Sequence, residues 1–257
     1  MSFRFHSIRS VRIAAFLLAF TSISAAHAGA SGNVTLVSDY LFRGVSQANQ
    51  KPALQGGVEY AADNGFYVGS WGSSISWLSD LSVSEAPVSS SLELDAYGGY
   101  RGKFSDAVSY DVGANYYWYP GSYPSGFNSA NTLELYAGLT FAASDKVSLG
   151  AKYSYATTDL FGYVDSDGSG YLDLSASFAV ADGWTVAAHA GKQWIEGSGN
   201  GPFEYSDWKL GVTKAFDNGF SVGLAYTGTD AEDALYTNAY GNKVARDTVA
   251  LSLAKSF

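Results

Sequence analysis

Segments of alternating hydrophobicity recur twelve times along the chain, and this pattern constrains the fold more than any other feature of the sequence. Each segment places apolar side chains at every second position and small or polar ones between them, the period of a β-strand with two different faces. In 66–77 alone, the pattern does not show which face is apolar. The predicted strands are 33–43, 52–61, 66–77, 91–100, 107–119, 132–141, 147–156, 170–180, 184–194, 207–216, 220–229 and 247–257.

The connections between these strands alternate in length. The short ones carry Asx and Gly residues typical of tight turns, and they are 62–65, 102–106, 142–146, 181–183 and 217–219. The long ones are rich in Gly, Ser, Pro and acids, and they are 44–51, 78–90, 120–131, 157–169, 195–206 and 230–246. Short periplasmic turns and longer extracellular loops are typical of transmembrane barrels. We therefore predict a closed antiparallel barrel of about twelve strands with both termini periplasmic; ten or fourteen strands are the alternatives.

A secreted β-sandwich or jelly roll would also alternate, so the period alone does not exclude these folds. Their second face should carry charge where it meets water. Here charged residues make up 15% of the chain, against about 25% in typical soluble proteins. Aromatic residues reach 16% and gather at strand ends, as in 116–119, where the interface girdles of a membrane barrel lie. The barrel is therefore favoured.

The N-terminus has the features of a secretory signal peptide. Arg4, Arg9 and Arg12 make a positively charged n-region, residues 11–20 supply an apolar core, and Ala-His-Ala at 26–28 offers a cleavage site. The stretch is too short for a stable membrane anchor. We predict cleavage after Ala28, with Ala30 as an alternative site and a retained anchor as the alternative interpretation. Residues 1–28 are then a removed signal, and 29–257 are the barrel domain.

The charge and cysteine content exclude other classes of protein. Removing 1–28 takes three of the 15 basic residues and none of the 24 acidic ones, so the net charge falls from −9 to −12. Such an acidic chain is a poor nucleic-acid binder, because phosphate contacts need clusters of Lys and Arg. There is no cysteine, so an exported chain of this kind must be stable without disulfides.

One block of sequence points to a family. It comprises Ser-Asp-Tyr-Leu-Phe-Arg-Gly-Val-Ser-Gln at 38–47, Lys-Pro-Ala-Leu-Gln-Gly-Gly at 51–57 and Gly-Phe-Tyr-Val-Gly-Ser-Trp at 65–71. Segments 93–100, 116–121 and 133–138 add weaker matches. From about residue 33 to 257 the chain resembles the TorF family of candidate porins, also called Gcw_chp, conserved bacterial proteins of unknown function. The resemblance implies an outer-membrane location in a Gram-negative cell and a porin role, without a substrate or defined site residues.

In a barrel, the inward face carries the function. We expect the pore lining to include Asp39, Arg43, Glu59, Glu93, Asp95, Asp111, Glu134, Lys152, Asp173, His189, Asp207 and Lys209. Eight acids against three bases, with His189 aside, predict a negative lumen that favours cations or neutral solutes. The alternative is that acids and bases pair across the lumen and hold it shut. Twelve strands lie between the filled interior of eight and the open channel of sixteen.

Asp39 and Arg43 stand four residues apart within the family block, on one face of the first predicted strand. They could form part of a constriction. Alternatively, the pair sets the register of the strand.

The sequence carries no sign of an enzyme. His189 is the sole histidine beyond residue 28. Its predicted position is not at a rim, and no nucleophile motif surrounds it, so it does not fit the base of an outer-membrane hydrolase. The acidic turn at 165–168 lacks the later ligands of a calcium loop, and no cofactor or zinc motif is present. We predict passive diffusion of small hydrophilic solutes; a non-conducting structural or surface-interaction barrel is the alternative. The expected partners are outer-membrane lipids and the barrel assembly machinery, which would recognise Phe257.

Overall fold

The computed structural model describes residues 29–257, and twelve of their strands close into an antiparallel barrel. The predicted barrel of twelve strands is confirmed. The predicted signal peptide, 1–28, lies outside the described residues. In chain order the strands are β1 (Gly29–Val37), β2 (Leu41–Phe42), β3 (Val45–Ser46), β4 (Ala53–Ala61), β5 (Phe66–Ser74), β6 (Leu92–Lys103), β7 (Val108–Trp118), β8 (Thr132–Ser144), β9 (Val147–Ala156), β10 (Gly170–Ala181), β11 (Trp184–Trp194), β12 (Tyr205–Ala215), β13 (Phe220–Thr229) and β14 (Thr248–Ser256). Strands β2 and β3 form a separate hairpin.

The barrel closes where the first strand meets the last. Strand β1 pairs with β4 on one side and with β14 on the other, from Asn33 opposite Ser256 to Val37 opposite Ser252. Beyond β14, the amide of Phe257 donates to the carbonyl of Gly32 at 3.0 Å, and the amide of Gly32 donates back at 2.9 Å. A Cβ on Gly32 would lie 2.6 Å from the Phe257 ring, so glycine lets the terminal ring lie against β1.

The outer face of the barrel is apolar. Side chains such as Leu54, Val58, Leu210 and Leu251 are more than half exposed on the strands. Trp184, Phe216 and Phe220 ring the end with short turns, which we call the turn rim, and Trp118 and Trp194 lie at the opposite end, the loop rim. A continuous apolar belt of this extent is costly in water, whereas it is the surface that a bilayer solvates.

In the part of the chain that the structure describes, helical structure is confined to two 3-10 turns in long loops, Ser79–Leu81 and Gly201–Phe203. Within residues 29–257, no helix has the length and apolar character needed to cross a membrane.

The first predicted strand, 33–43, is wrong at its C-terminal end. Strand β1 stops at Val37, and the chain then turns into the lumen, with left-handed φ angles of 48° at Arg43 and 80° at Gly44. Tyr40 and Phe42, which continue the apolar positions of the predicted strand, lie inside the barrel rather than on its outer face. The alternation misled the prediction because apolar side chains are buried as well by a folded lumenal loop as by lipid.

Other boundaries move by a few residues. Strand β5 ends at Ser74 rather than 77, and its inward face carries Tyr67, Trp71 and Ser73. Strand β6 runs on to Lys103 rather than stopping at 100. This extension adds Arg101 to the inward residues. Arg101 was not among those predicted from the sequence.

Candidate functional site

A loop that crosses the lumen dominates the interior near the loop rim. This inner loop, residues 38–52, connects β1 to β4 and contains the β2–β3 hairpin. The amide of Ser46 donates to the carbonyl of Val244 at 2.7 Å, and the carbonyl of Gln47 accepts from the amide of Ser76 at 2.8 Å. Backbone hydrogen bonds to two other long loops therefore hold the inner loop across the barrel opening.

Arg43 is the main anchor of the inner loop. Its guanidinium donates to both carboxylate oxygens of Glu134 on β8 at 2.8 Å and to Oε1 of Gln193 on β11 at 2.7 Å. It also lies 4.1 Å from the centroid of the Tyr171 ring on β10. The side chains of Arg43 and Glu134 are only 7% and 3% exposed. Nη2 makes both contacts with Glu134 and Nη1 makes the contact with Gln193, and such buried, charge-assisted hydrogen bonds are strong, so they fix the inner loop to the far wall.

Gly44 lets the tip of the inner loop touch that wall. A Cβ at this position would lie 2.4 Å from Cγ2 of Thr229 and 2.9 Å from Cβ of Asp207. The left-handed φ of 80° also disfavours any residue with a side chain. Glycine is required here by both space and conformation.

The rest of the inner loop packs against aromatic side chains of the barrel. Tyr40 lies edge-on to Trp71 with ring centroids 5.5 Å apart, and its hydroxyl donates to Glu93 at 3.0 Å. Phe42 contacts Tyr117 and Phe161 in the same edge-on manner. These rings belong to the main apolar cluster of the described residues. The loop-rim half of the lumen is thus packed rather than empty.

The predicted pairing of Asp39 and Arg43 on one strand face is wrong. Because the chain bends after Val37, Arg43 reaches Glu134, whereas Oδ1 of Asp39 accepts a hydrogen bond from Ser46 at 2.6 Å. Burial raises the pKa of Asp39 to about 6, although the Ser46 hydrogen bond and the charge of Arg246 lower it. Asp39 therefore stabilises the turn of the inner loop locally and forms no link to the opposite wall.

The raised pKa of Asp39 predicts that the inner loop is less stable at high pH. Since the folded pKa lies above the ordinary value of 3.8, this residue favours the folded loop below about pH 4 and loses that contribution as the pH rises through 6. Limited proteolysis of the loop at pH 5 and pH 7.5 checks this. Asp39→Asn should weaken the pH dependence, and an unaltered profile would contradict the assignment.

A second charged cluster lies nearer the turn rim and centres on Arg101 of β6. The guanidinium makes a two-pronged contact with Glu59 on β4, at 2.6 and 3.0 Å, and approaches Asp111 on β7 at 3.3 Å. It stacks 3.6 Å from the centroid of Tyr67, whose hydroxyl donates to Asp111. Continuing the alternation of Tyr97 and Gly99 by one step would have identified Arg101 from the sequence.

A third cluster surrounds His189 on β11. Its Nε2 lies 2.7 Å from Oδ1 of Asp207 on β12, and its Nδ1 lies 3.0 Å from Oδ2 of Asp173 on β10. The hydroxyl of Tyr171 donates to the second oxygen of Asp207 at 2.9 Å. Both carboxylates are almost fully buried. The imidazole is held between two acids, which is the environment of a charged, structural histidine.

The residues expected in the pore lining therefore divide into those that form ion pairs and those that do not. The structure joins Arg43 to Glu134, His189 to Asp173 and Asp207, and Glu59 to Asp111 through Arg101. Lys152 lies over the ring of Tyr136 at 4.1 Å, and Lys209 is the register partner of His189 on β12. Among the described residues, Asp39, Glu93 and Asp95 contact no cation.

With this geometry in place, comparison with known families identifies the chain. The family described as "Bacterial protein of unknown function (Gcw_chp)" matches residues 23–257. The chain belongs to the Gcw_chp family. Comparison of the sequence with curated proteins found no match.

The Gcw_chp barrel is similar to several solved outer-membrane proteins. The KdgM porin aligns with a TM-score of 0.57 and 11% identity, over 88% of this chain and 99% of that one. The toluene transporter TodX of Pseudomonas putida gives 0.53 and 12%, over 90% and 89%. An outer-membrane channel of Pseudomonas putida F1 gives 0.51 and 14%, over 91% and 97%. At such identities the likeness establishes the fold.

Proposed function

We propose that this Gcw_chp protein is a narrow outer-membrane porin for passive diffusion of small hydrophilic solutes. The observation that carries the proposal is the opposition of the two barrel faces. The outer face is apolar, whereas the inner face carries acids, bases and tyrosines from nearly every strand of one half of the barrel. A chain that only needed to fill its interior would do so at lower cost with apolar side chains. The named role of KdgM, a porin, is compatible with this proposal.

The route for solutes lies along the wall formed by β13, β14, β1 and β4. Most inward residues of this wall are small, in contrast to the large and charged ones opposite. They include Thr35, Gly57, Ser221, Gly223, Ala225, Ala250, Ser252 and Ala254. Glu59 on β4, which pairs with Arg101, is the exception. Because most of the ion-paired side chains extend from the other strands, we place the solute route along this side.

The lumenal charge favours cations or neutral solutes. The eight expected acids face four permanent bases, Arg43, Arg101, Lys152 and Lys209, together with His189. The excess of acid is smaller than predicted because Arg101 adds a base. A net negative lumen still attracts cations and repels anions, so the expected preference is modest.

In this proposal the turn rim and both termini face the periplasm, and the long loops face outward, as in barrels with an even strand number. The signal peptide at 1–28 directs export, and membrane lipids cover the apolar belt.

A second function is favoured by one observation, the packed loop-rim half of the lumen. If the inner loop never leaves, the barrel is a non-conducting surface protein that acts through its long acidic loops. Planar-bilayer recordings of the purified protein separate the two functions. A porin gives discrete conductance steps. Under a salt gradient, the sign of its reversal potential should indicate selectivity for cations. Many insertions without steps would support the surface function instead, and an anion preference would contradict the lumenal charge assignment.

Deleting Phe257 tests the proposed link to barrel assembly. The deletion removes two backbone hydrogen bonds at the β1–β14 seam, each worth about 1 kcal/mol, and the terminal aromatic that the assembly machinery would bind. We expect a several-fold lower yield of folded barrel in the outer membrane, measured as the heat-modifiable band on a denaturing gel. Phe257→Tyr is the matched control and should assemble normally. A normal yield from the deletion would remove Phe257 from the assembly signal.

A further inference from the structure

The inner loop forms the floor of a cavity that opens between the long loops. Its volume is about 360 Å³, near the lower end of the range for small-molecule sites, roughly 300–1,000 Å³. Phe42, Arg43, Gln47 and Asn49 of the inner loop line its lower part. The cavity lies on the side of the inner loop that faces the loop rim, where an entering solute would meet it. Its lining is therefore placed to select solutes.

The cavity is lined by many aromatic rings and several amides. The rings include Phe42, Trp77, Tyr119, Phe161, Tyr205 and Tyr236. Ring faces are electron-rich, and the C–H bonds on one face of a sugar ring carry partial positive charge and stack on them. The amides of Gln193 and Asn238 are hydrogen-bonded within the protein, whereas Oε1 of Gln47 and Nδ2 of Asn49 make no hydrogen bond among the described residues and are available to a ligand. Apolar platforms with a few polar groups between them suit a ligand that has one apolar face and a hydroxylated edge.

The charges at the cavity argue for an uncharged ligand. The single cation in its lining, Arg43, already contacts both oxygens of Glu134 and the amide oxygen of Gln193. Capturing an anionic ligand would break a buried ion pair, which is costly. The one acid in the lining, Asp80, accepts a hydrogen bond from Ser76 through Oδ2. Arg43 is therefore not a free partner for an anionic group, and Asp80 would repel one, so among saccharides an uncharged one is favoured.

We propose that this cavity binds a neutral saccharide of one or two rings before it enters the lumen. The inference rests on the proposed porin function, because it assigns the solute class to the entrance of that channel. An aromatic hydrocarbon would also fit the rings of the cavity. It would then have to pass Glu93, Asp95 and the charged clusters below the inner loop, a polar route that suits hydroxyl groups.

Isothermal titration calorimetry of the detergent-purified protein tests the proposal, with maltose as the probe. Leu235 lines the cavity and is 39% exposed, so Leu235→Trp should fill the cavity without disturbing the barrel. Val83 lies on the neighbouring long loop outside the cavity and is 56% exposed, which makes Val83→Trp the matched control. We expect maltose binding by the wild type and Val83→Trp, and at least tenfold weaker binding by Leu235→Trp. The heat-modifiable gel shift confirms that each variant is folded.

Three results would overturn the saccharide assignment: no heat with maltose, equal binding by Leu235→Trp, or binding of phenol in place of maltose. Tighter binding of galacturonate than of maltose would refute the neutral class. The swelling of protein-containing liposomes in maltose measures the passage of maltose through the protein, separately from its binding. Binding without swelling would count against the porin function and leave the cavity assignment standing. Swelling without binding would support the porin function and count against the cavity assignment.

Discussion

Replacing Arg43 by alanine is expected to open the loop-rim half of the lumen and raise the single-channel conductance several-fold. The substitution leaves Glu134 buried without a cation while the inner loop stays in place. Breaking a buried ion pair in this way costs about 3–5 kcal/mol. That cost is relieved when the inner loop leaves and water reaches Glu134. Since about 1.4 kcal/mol corresponds to a tenfold change in an equilibrium constant, the displaced loop should gain roughly a hundredfold or more in relative population.

The matched control for this experiment is Arg246→Ala. Arg246 also contacts the inner loop, donating to Gln50 at 2.8 Å, but it is exposed. Exposed polar contacts contribute little, so its loss should leave the conductance near that of the wild type. Planar-bilayer recordings and liposome swelling measure both variants. Equal conductance of Arg43→Ala and wild type would show that packing, rather than the ion pair, holds the loop.

Replacing His189 by alanine is expected to lower the stability of the folded barrel more than any substitution on the outer face. Asp173 and Asp207 would then share a buried region of the lumen without the imidazole between them. Removing one partner from a buried charged cluster costs about 3–5 kcal/mol, because the remaining charges are uncompensated. Urea unfolding in detergent, followed by the heat-modifiable gel shift, measures the loss.

A triple variant tests the electrostatic origin of this loss. In the His189→Ala background, Asp173→Asn and Asp207→Asn remove both carboxylate charges while keeping similar shapes. Most of the stability should return, since neutral amides have a smaller desolvation cost than carboxylates. If the triple variant is as unstable as His189→Ala, the lost packing of the imidazole, and not its charge, explains the effect.

Several members of the candidate site could be predicted from their position on a strand. Glu134, Asp173, His189 and Asp207 occupy inward positions because strand alternation assigns each residue to one face. Arg101 was not predicted as an inward residue only because the predicted strand, 91–100, stopped one residue too early. The partners of these residues could not be predicted. Register between neighbours and distance across the lumen decide which acid meets which base, and neither is encoded in the period of a single strand.

The inner loop shows where the sequence pattern reaches its limit. Residues 38–43 continue the alternation of β1, yet positive φ angles at Arg43 and Gly44 turn the chain into the lumen. The reason is that Arg43 forms hydrogen bonds with Glu134 and Gln193, which lie on strands roughly 90 to 150 residues away along the chain. Contacts of that separation exist only once the barrel has closed.

Twelve alternating segments with short and long connections in turn, together with the low charge content and the aromatic strand ends, predict a closed barrel from the sequence, because every backbone hydrogen bond in a bilayer must be satisfied by a neighbouring strand. The same local periodicity determines the apolar outer belt and the polar inner face. How far the inner loop fills the lumen, which charges are paired and where a cavity forms were decided only by the tertiary structure. These properties depend on side chains from distant strands meeting in a space whose width closure alone defines.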